Sequence, residues 1–288
     1  MAQRAHAFIE NTAGPFFVDS FCIDCGTCYT LVPEVFRDAG GHSLVDRQPA
    51  GAIERRRASM AVLACPTASI GTDDKSEMAA ATSAFPSPIE GEVSFCGYTA
   101  EESFGAWSYF IQRPAGNVLM DSPRAAGPLL AALEARGGVA TLVLSHRDDV
   151  ADHAAFRRRF GSDRIMHRAD RVPGLEHYVD GKAPVRLADD LVFIPTPGHT
   201  PGSACLLYRD TFLFTGDHLY WNPEARRLSA SKAMNWHSWP EQLRSLEKLL
   251  EFEFRWVLPG HGACFRAESP GEMRAELERA LVRLRAVA

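Results

Sequence analysis

Three cysteines fall in one short stretch, Cys22-Ile-Asp-Cys25-Gly-Thr-Cys28, and a fourth follows far downstream in Cys65-Pro66. A segment below roughly 80 residues is only marginally stable on a hydrophobic core, so a metal staple is expected in this part of the chain. The spacing brings three thiolates into one tight loop. Gly26 allows close backbone approach and frees amides to hydrogen-bond the sulfurs. A helical pattern through Ile53, Met60, Ala61 and Leu63 then leads into Cys65 as the fourth thiolate. Thiolates select an iron–sulfur cluster or zinc. So crowded a triplet suits a cluster better than a tetrahedral ion, with a structural zinc site as the alternative.

Composition adds limits. At 288 residues, one large domain and one small one are expected. A net charge of -5 gives no reason to expect a nucleic-acid partner, and Arg55–Arg57 and Arg157–Arg159 read as solvated helix faces. No apolar stretch reaches the roughly 18 residues of a membrane span. The start, Met1-Ala2-Gln3-Arg4-Ala5-His6, has no signal-peptide core. Clustered cysteines without an export signal predict metal binding in the reducing cytoplasm. The segment 72–91 is polar, then Ala-rich, then broken by Pro86 and Pro88, and reads as a linker. The expected division is 1–71, linker 72–91, and 92–288.

The larger part alternates apolar runs with helical patterns. Strands are expected over 92–96, 108–112, 117–121, 140–144, 191–194, 204–208, 211–214 and 256–258. Helices are expected over 124–136, 150–160, 240–252 and 270–287. Capping boxes at Ser238-x-x-Glu241 and Ser269-x-x-Glu272 open the last two. Such mixing predicts layered α/β structure.

The chemistry sits where strands stop. One run ends at Ser145-His146-Arg147-Asp148-Asp149-Val150-Ala151-Asp152-His153, and the others at Gly198-His199, Gly216-Asp217 and Gly260-His261. The candidate ligands are therefore His146, Asp148, Asp152, His153, His199, Asp217 and His261. Asp149 rivals Asp148, since it could share a helical face with His153. Imidazoles and carboxylates select zinc, iron or manganese. Cys96, Cys205 and Cys264 read as core cysteines, and His167 as structural or supporting. His218 would alternate away from the metals if still extended. Tyr220, Trp221, Trp236 and His237 are placed at the cleft mouth, as pocket-shaping residues.

Two resemblances follow from these motifs. Cys-x2-Cys-Gly-x-Cys at 22–28, Pro33-Glu34-Val35-Phe36 and Cys65-Pro66 resemble a bacterial-type single-cluster ferredoxin over about residues 15–71. Two-cluster ferredoxins carry a further Cys where Val32 stands, so the resemblance implies one [4Fe–4S] cluster held by Cys22, Cys25, Cys28 and Cys65. From about residue 92 to 265 the order of strand-end motifs resembles the metallo-β-lactamase superfamily. That resemblance implies an αββα sandwich preceded by a small ferredoxin-like α+β domain, with two divalent metals in a cleft and Asp217 bridging them. The usual His-x-His-x-Asp-His is here His146-x-Asp148-x3-Asp152-His153, with a carboxylate at the second position and the Asp-His pair two residues late. A carboxylate hardens the site and favours iron over zinc. Flavodiiron proteins, a redox branch of that superfamily, also carry a carboxylate there.

The expected activity is that of a redox metalloenzyme. An external donor such as a reductase or ferredoxin would charge the cluster. The cluster would reduce a binuclear non-haem iron centre acting on oxygen, nitric oxide or another small-molecule substrate. The alternative is a hydrolase of an ester, thioester or lactone, in which Asp152 orients or deprotonates a metal-bound water and the cluster is structural or regulatory. Anaerobically purified protein should carry about four iron and four labile sulfide in the cysteine domain, and Cys65→Ser should lose the intact cubane. An unchanged visible spectrum and sulfide content in Cys65→Ser would overturn the ligand assignment.

Overall fold

The computed structural model describes residues 1–287 and divides into two compact units, residues 1–140 with 151–161, and residues 141–150 with the chain from 162 onward. In the first unit, β1 (Phe16–Val18) pairs antiparallel with β4 (Ile70–Thr72), which closes the cysteine-bearing stretch on itself. Between them lie α1 (Thr27–Leu31), the hairpin of β2 (Phe36–Asp38) and β3 (Ser43–Val45), and α2 (Ala52–Ala64). Gly26 takes the left-handed φ of +80° from which α1 starts, and α2 stops at Cys65. Phe16, Val18, Val32, Val35, Phe36, Val45 and Ile70 form the small core, against which α2 presents Ala58 and Ala61. Their small side chains let the helix lie close.

The segment 72–91, expected to be a linker, is folded. It holds α3 (Met78–Ser83) and β5 (Ser87–Glu90). The Ala-rich stretch that looked featureless is a good helix former. Pro88 is tolerated because β5 is an edge strand, where a missing donor costs little. β5, β6 (Val93–Phe95), β7 (Tyr109–Ile111) and β8 (Val118–Met120) then run as an antiparallel meander, and α4 (Gly127–Glu134) and α5 (His153–Phe160) complete the unit.

In the second unit, β9 (Thr141–Val143), β10 (Asp163–His167) and β11 (His177–Val179) pair in parallel. A six-stranded sheet has the order β12 (Val185–Ala188), β13 (Leu191–Pro195), β14 (Ala204–Tyr208), β15 (Phe212–Gly216), β18 (Trp256–Pro259) and β19 (Phe265–Arg266). Between β15 and β18 in sequence lie a hairpin of β16 (Tyr220–Asn222) and β17 (Arg227–Ser229) and then α6 (Trp239–Lys248). α7 (Pro270–Ala286) ends the described chain.

Strands β13 to β15 are continuously apolar because both of their faces are buried. Alternate residues on one face, Ile194, Leu207, Leu213 and Val257, pack with Leu243 and Leu246 of α6 and Met273, Leu277 and Leu281 of α7. Both helices start as the capping boxes predict, with Ser238 Oγ accepting from Glu241 N at 3.3 Å and Ser269 Oγ from Glu272 N at 3.1 Å.

Topology gathers the motif-bearing ends. β13 and β15 both run antiparallel to β14, and β18 runs parallel to β15. The C-terminal ends of β13, β15 and β18 therefore share one edge. The exit of β9 joins them through Ala204 N, which donates to Ser145 O at 2.9 Å. No helix among the described residues is long and apolar enough to cross a membrane.

Leu246 is fully buried between α6 and the sheet. Leu246→Ala should lower unfolding free energy by about 2–5 kcal/mol, the range for a large-to-small core substitution. The denaturant midpoint at fixed metal content measures it.

Candidate metal centres

Cys22, Cys25, Cys28 and Cys65 line one pocket with Val18, Ile23 and Ile70. Backbone amides point at its sulfurs, with Ser69 N 3.3 Å from Cys65 Sγ, Ser43 N 3.4 Å and Asp24 N 3.5 Å from Cys22 Sγ. Burial pushes the Cys25 thiol up to about 11 and that of Cys28 higher still, and the neighbouring cysteines add to both. Four thiolates here would be unstable without a cationic partner, while amide donors aimed at sulfur are what a cluster's ligands require. The pocket therefore fits an iron–sulfur cluster.

The second centre lies wholly in the second unit, on the shared strand edge. His146 Nε2 is 3.8 Å from Asp148 Oδ2 and 3.7 Å from Asp217 Oδ2. His199 Nε2 is 3.9 and 3.8 Å from the same two oxygens. These separations are too long for hydrogen bonds, but a tetrahedral shell with ligand distances of about 2.0–2.2 Å has edges of about 3.3–3.6 Å. Both Nε2 atoms are buried without a hydrogen-bond partner. Buried polar atoms left so are costly, and two of them facing carboxylate oxygens fit a cation. Ser145 Oγ lies 2.9 Å from His146 Nδ1 and, as acceptor, holds the tautomer that leaves Nε2 free to ligate.

Burial lowers the His146 pKa and so keeps its ring neutral. Asp217 behaves differently. Burial alone would raise its carboxyl, but His261, followed by His146 and His199, holds it well below the usual carboxylate range. His261 Nδ1 is 2.7 Å from Asp217 Oδ1, so the other oxygen, Oδ2, faces the two free Nε2 atoms.

Asp149, the rival of Asp148, lies beside rather than in place of it. His146, Asp149 and Asp217 make a second candidate group, with Asp149 Oδ2 3.7 Å from His146 Nδ1. Gly260 makes this possible, because a Cβ there would come within 2.8 Å of Asp149 Oδ2 and 2.9 Å of Asp217 Oδ1.

Asp152 and His153 belong to neither group. Asp152 precedes α5 as its N-cap residue, and its carboxylate accepts from Ala125 N at 2.8 Å. The Asp-His pair thus stands at the start of α5. His218 is buried in the core with both ring nitrogens unbonded, and burial with His199 nearby brings it down to about 3. His167 is structural, accepting from Ala169 N at Nδ1 and bonding Gly181 O through Nε2. Cys96 and Cys205 are buried, and Cys264 is half-buried. Trp236 is exposed, and its amide donates to His199 O at 3.0 Å.

Asp170 was not singled out from sequence. It is buried just past β10 and holds the two histidine loops together. Its Oδ2 accepts from Arg147 N and Thr200 Oγ1, both at 2.8 Å, and its Oδ1 from Gly202 N at 2.6 Å. The readable signal was an acid after an apolar strand, Arg164 to His167, in a chain whose other strand ends carry ligands.

Residues 104–261, more than half of the chain, match the family model of the metallo-beta-lactamase superfamily, and the chain belongs to that superfamily. Residues 18–72 match the 4Fe-4S single cluster domain of ferredoxin I. Among curated proteins, a hydroxyacylglutathione hydrolase of Methylococcus capsulatus is 31% identical over 152 residues, covering 48% of this chain and 57% of that protein. The match thus spans little more than half of the relative's length. Among solved structures, DIM-1 metallo-beta-lactamase has a TM-score of 0.50 at 13% identity, covering 67% of this chain and 95% of its own. VMB-1 has a TM-score of 0.50 at 13% identity, covering 70% and 96%. Likeness at such identity speaks to fold, and it agrees with the sandwich expected from the strand-end motifs.

Asp217→Asn should strip the cleft of most of its metal, while Asp152→Asn should keep it. Asp170→Ala, which touches no ligand atom, should weaken metal affinity about 10–100-fold, the usual cost of losing a ligand's support. Competitive chelator titration of the three variants checks this. Equal affinities for Asp217→Asn and Asp152→Asn would refute the site.

Proposed function

We propose that the protein is a redox metalloenzyme in which a [4Fe–4S] cluster, charged by an external reductase or ferredoxin, serves a non-haem iron site in the lactamase-like cleft. The observation that carries this reading is the donor set. The Nε2 atoms of two imidazoles lie 3.7–3.9 Å from oxygens of two carboxylates, in a chain that also carries a four-cysteine cluster site. Two histidines with carboxylate and open positions suit iron better than zinc.

His146, Asp148, Asp149, His199 and Asp217 would hold the metal, and iron bound there would supply one-electron chemistry to a small molecule. Two candidate groups share His146, one with Asp148 and His199 and one with Asp149 and Asp217, which supports the expected pair of ions. His261 keeps Asp217 ionised and turned toward the imidazoles. Asp148, with half of its side chain exposed, is the side from which a small molecule reaches the site.

A second reading has its own support. The relative at 31% identity is a hydrolase by name, so hydrolysis of a thioester or ester by a zinc-loaded cleft is the rival function. Metal analysis after growth without excess of either metal separates the two. Redox function predicts about six iron per chain, four from the cluster and two from the cleft, and activity lost in Cys65→Ser. Iron near four, with zinc in the cleft and thioester hydrolysis surviving Cys65→Ser, would replace the redox reading by the hydrolytic one.

A further inference from the structure

The half-buried Cys25 of the cluster pocket is approached closely by residues from outside the ferredoxin match at 18–72. Gly105, in the same compact unit, sits at φ +82°, and a Cβ built there would lie 2.7 Å from both Cβ and Sγ of Cys25. No side chain fits in that gap. The Gly105 carbonyl accepts from the Thr27 hydroxyl at 3.0 Å, and that hydroxyl is itself 3.5 Å from Cys25 Sγ. Thr99 Oγ1 donates at 2.6 Å to the carbonyl of Ala64, the residue before Cys65. Both threonines are fully buried. The turn between them is held closed by Gly105 N to Ala100 O and Ala106 N to Ser103 O, each at 2.9 Å. One short loop is thus tied to the backbone beside two of the four cluster cysteines.

We propose that residues 99–105 form the outer wall of the cluster site, with Gly105 as the positioning residue that lets the wall close on Cys25. The cluster's environment is then shared between the ferredoxin motif and a loop that precedes β7. Two consequences follow from excluding water at the Cys25 sulfur. Water stabilises the extra negative charge of a reduced cluster, so its exclusion lowers the reduction potential. It also keeps dissolved oxidants from the iron. The hydroxyl proton of Thr27 goes to Gly105 O, so its role is to tether the wall rather than to bond the sulfur.

This rests on the cluster reading, and labile sulfide in the unmutated protein tests that reading separately. The full-length chain, prepared anaerobically, would be compared as Gly105→Ala, Thr27→Val and Gly40→Ala. Gly40 has a similar φ of +79° with nothing within 4 Å of an added Cβ, so it carries the same backbone strain with no collision. Gly105→Ala should retain iron and sulfide but bleach several-fold faster in air, with a raised midpoint potential. Thr27→Val should move both readouts in the same direction, and it decides the matter alone if Gly105→Ala fails to fold. Gly40→Ala should match the unmutated protein. Unchanged bleaching and potential in Gly105→Ala and Thr27→Val would overturn the proposal. Unmutated protein without labile sulfide would remove the cluster itself and the wall with it.

Discussion

The parallel pairing of β15 with β18 is the constraint on which the cleft depends. Gly216 lies opposite Pro259, and Gly260 N donates to Gly216 O at 2.8 Å. This single register sets Asp217 beside His261 and permits the 2.7 Å contact that fixes which carboxylate oxygen faces the imidazoles. A slip of one residue in either strand would turn that strand's side chain away from its partner. Helices α6 and α7 bury the apolar face beneath these strands, so the packing that stabilises the unit also locks the register that the chemistry needs.

Support for the ligands comes from a different direction. Asp170 bonds two backbone amides and one hydroxyl and so fastens the His146 loop to the His199 loop. Charged acceptors of this kind make strong bonds, and losing one strands several buried donors at once. Both imidazoles thereby arrive at the cleft with little freedom left to lose on binding an ion. The cysteine pocket uses the same economy of means, with backbone amides at Ser43 and Ser69 aimed at sulfurs from fixed strand and loop positions.

Most of this was readable from the residues. The strand runs that lead to His146, His199, Asp217 and His261 were legible because each is an apolar stretch followed by a His or Asp, and three of those residues directly follow Gly. The capping serines were legible for the same local reason. The N-cap position of Asp152 was hidden, because only the backbone path shows where α5 starts. Asp170 escaped notice because its partners are amides at residues 147 and 202, which carry no side-chain signature. The folded state of residues 72–91 was hidden because alanine helices and edge strands leave weak periodicity.

The exposure of Asp148 has a kinetic meaning. Of four candidate ligand side chains, His146 and His199 are almost completely buried and Asp217 is mostly so, while Asp148 is 50% exposed. Three of these candidates are therefore held ready by the fold, and the fourth can swing into solvent without disturbing the core. An ion would enter and leave past that carboxylate, so exchange would be faster than the number of ligands alone implies. In a site of that kind, occupancy follows the metal supply of the surroundings as well as intrinsic affinity.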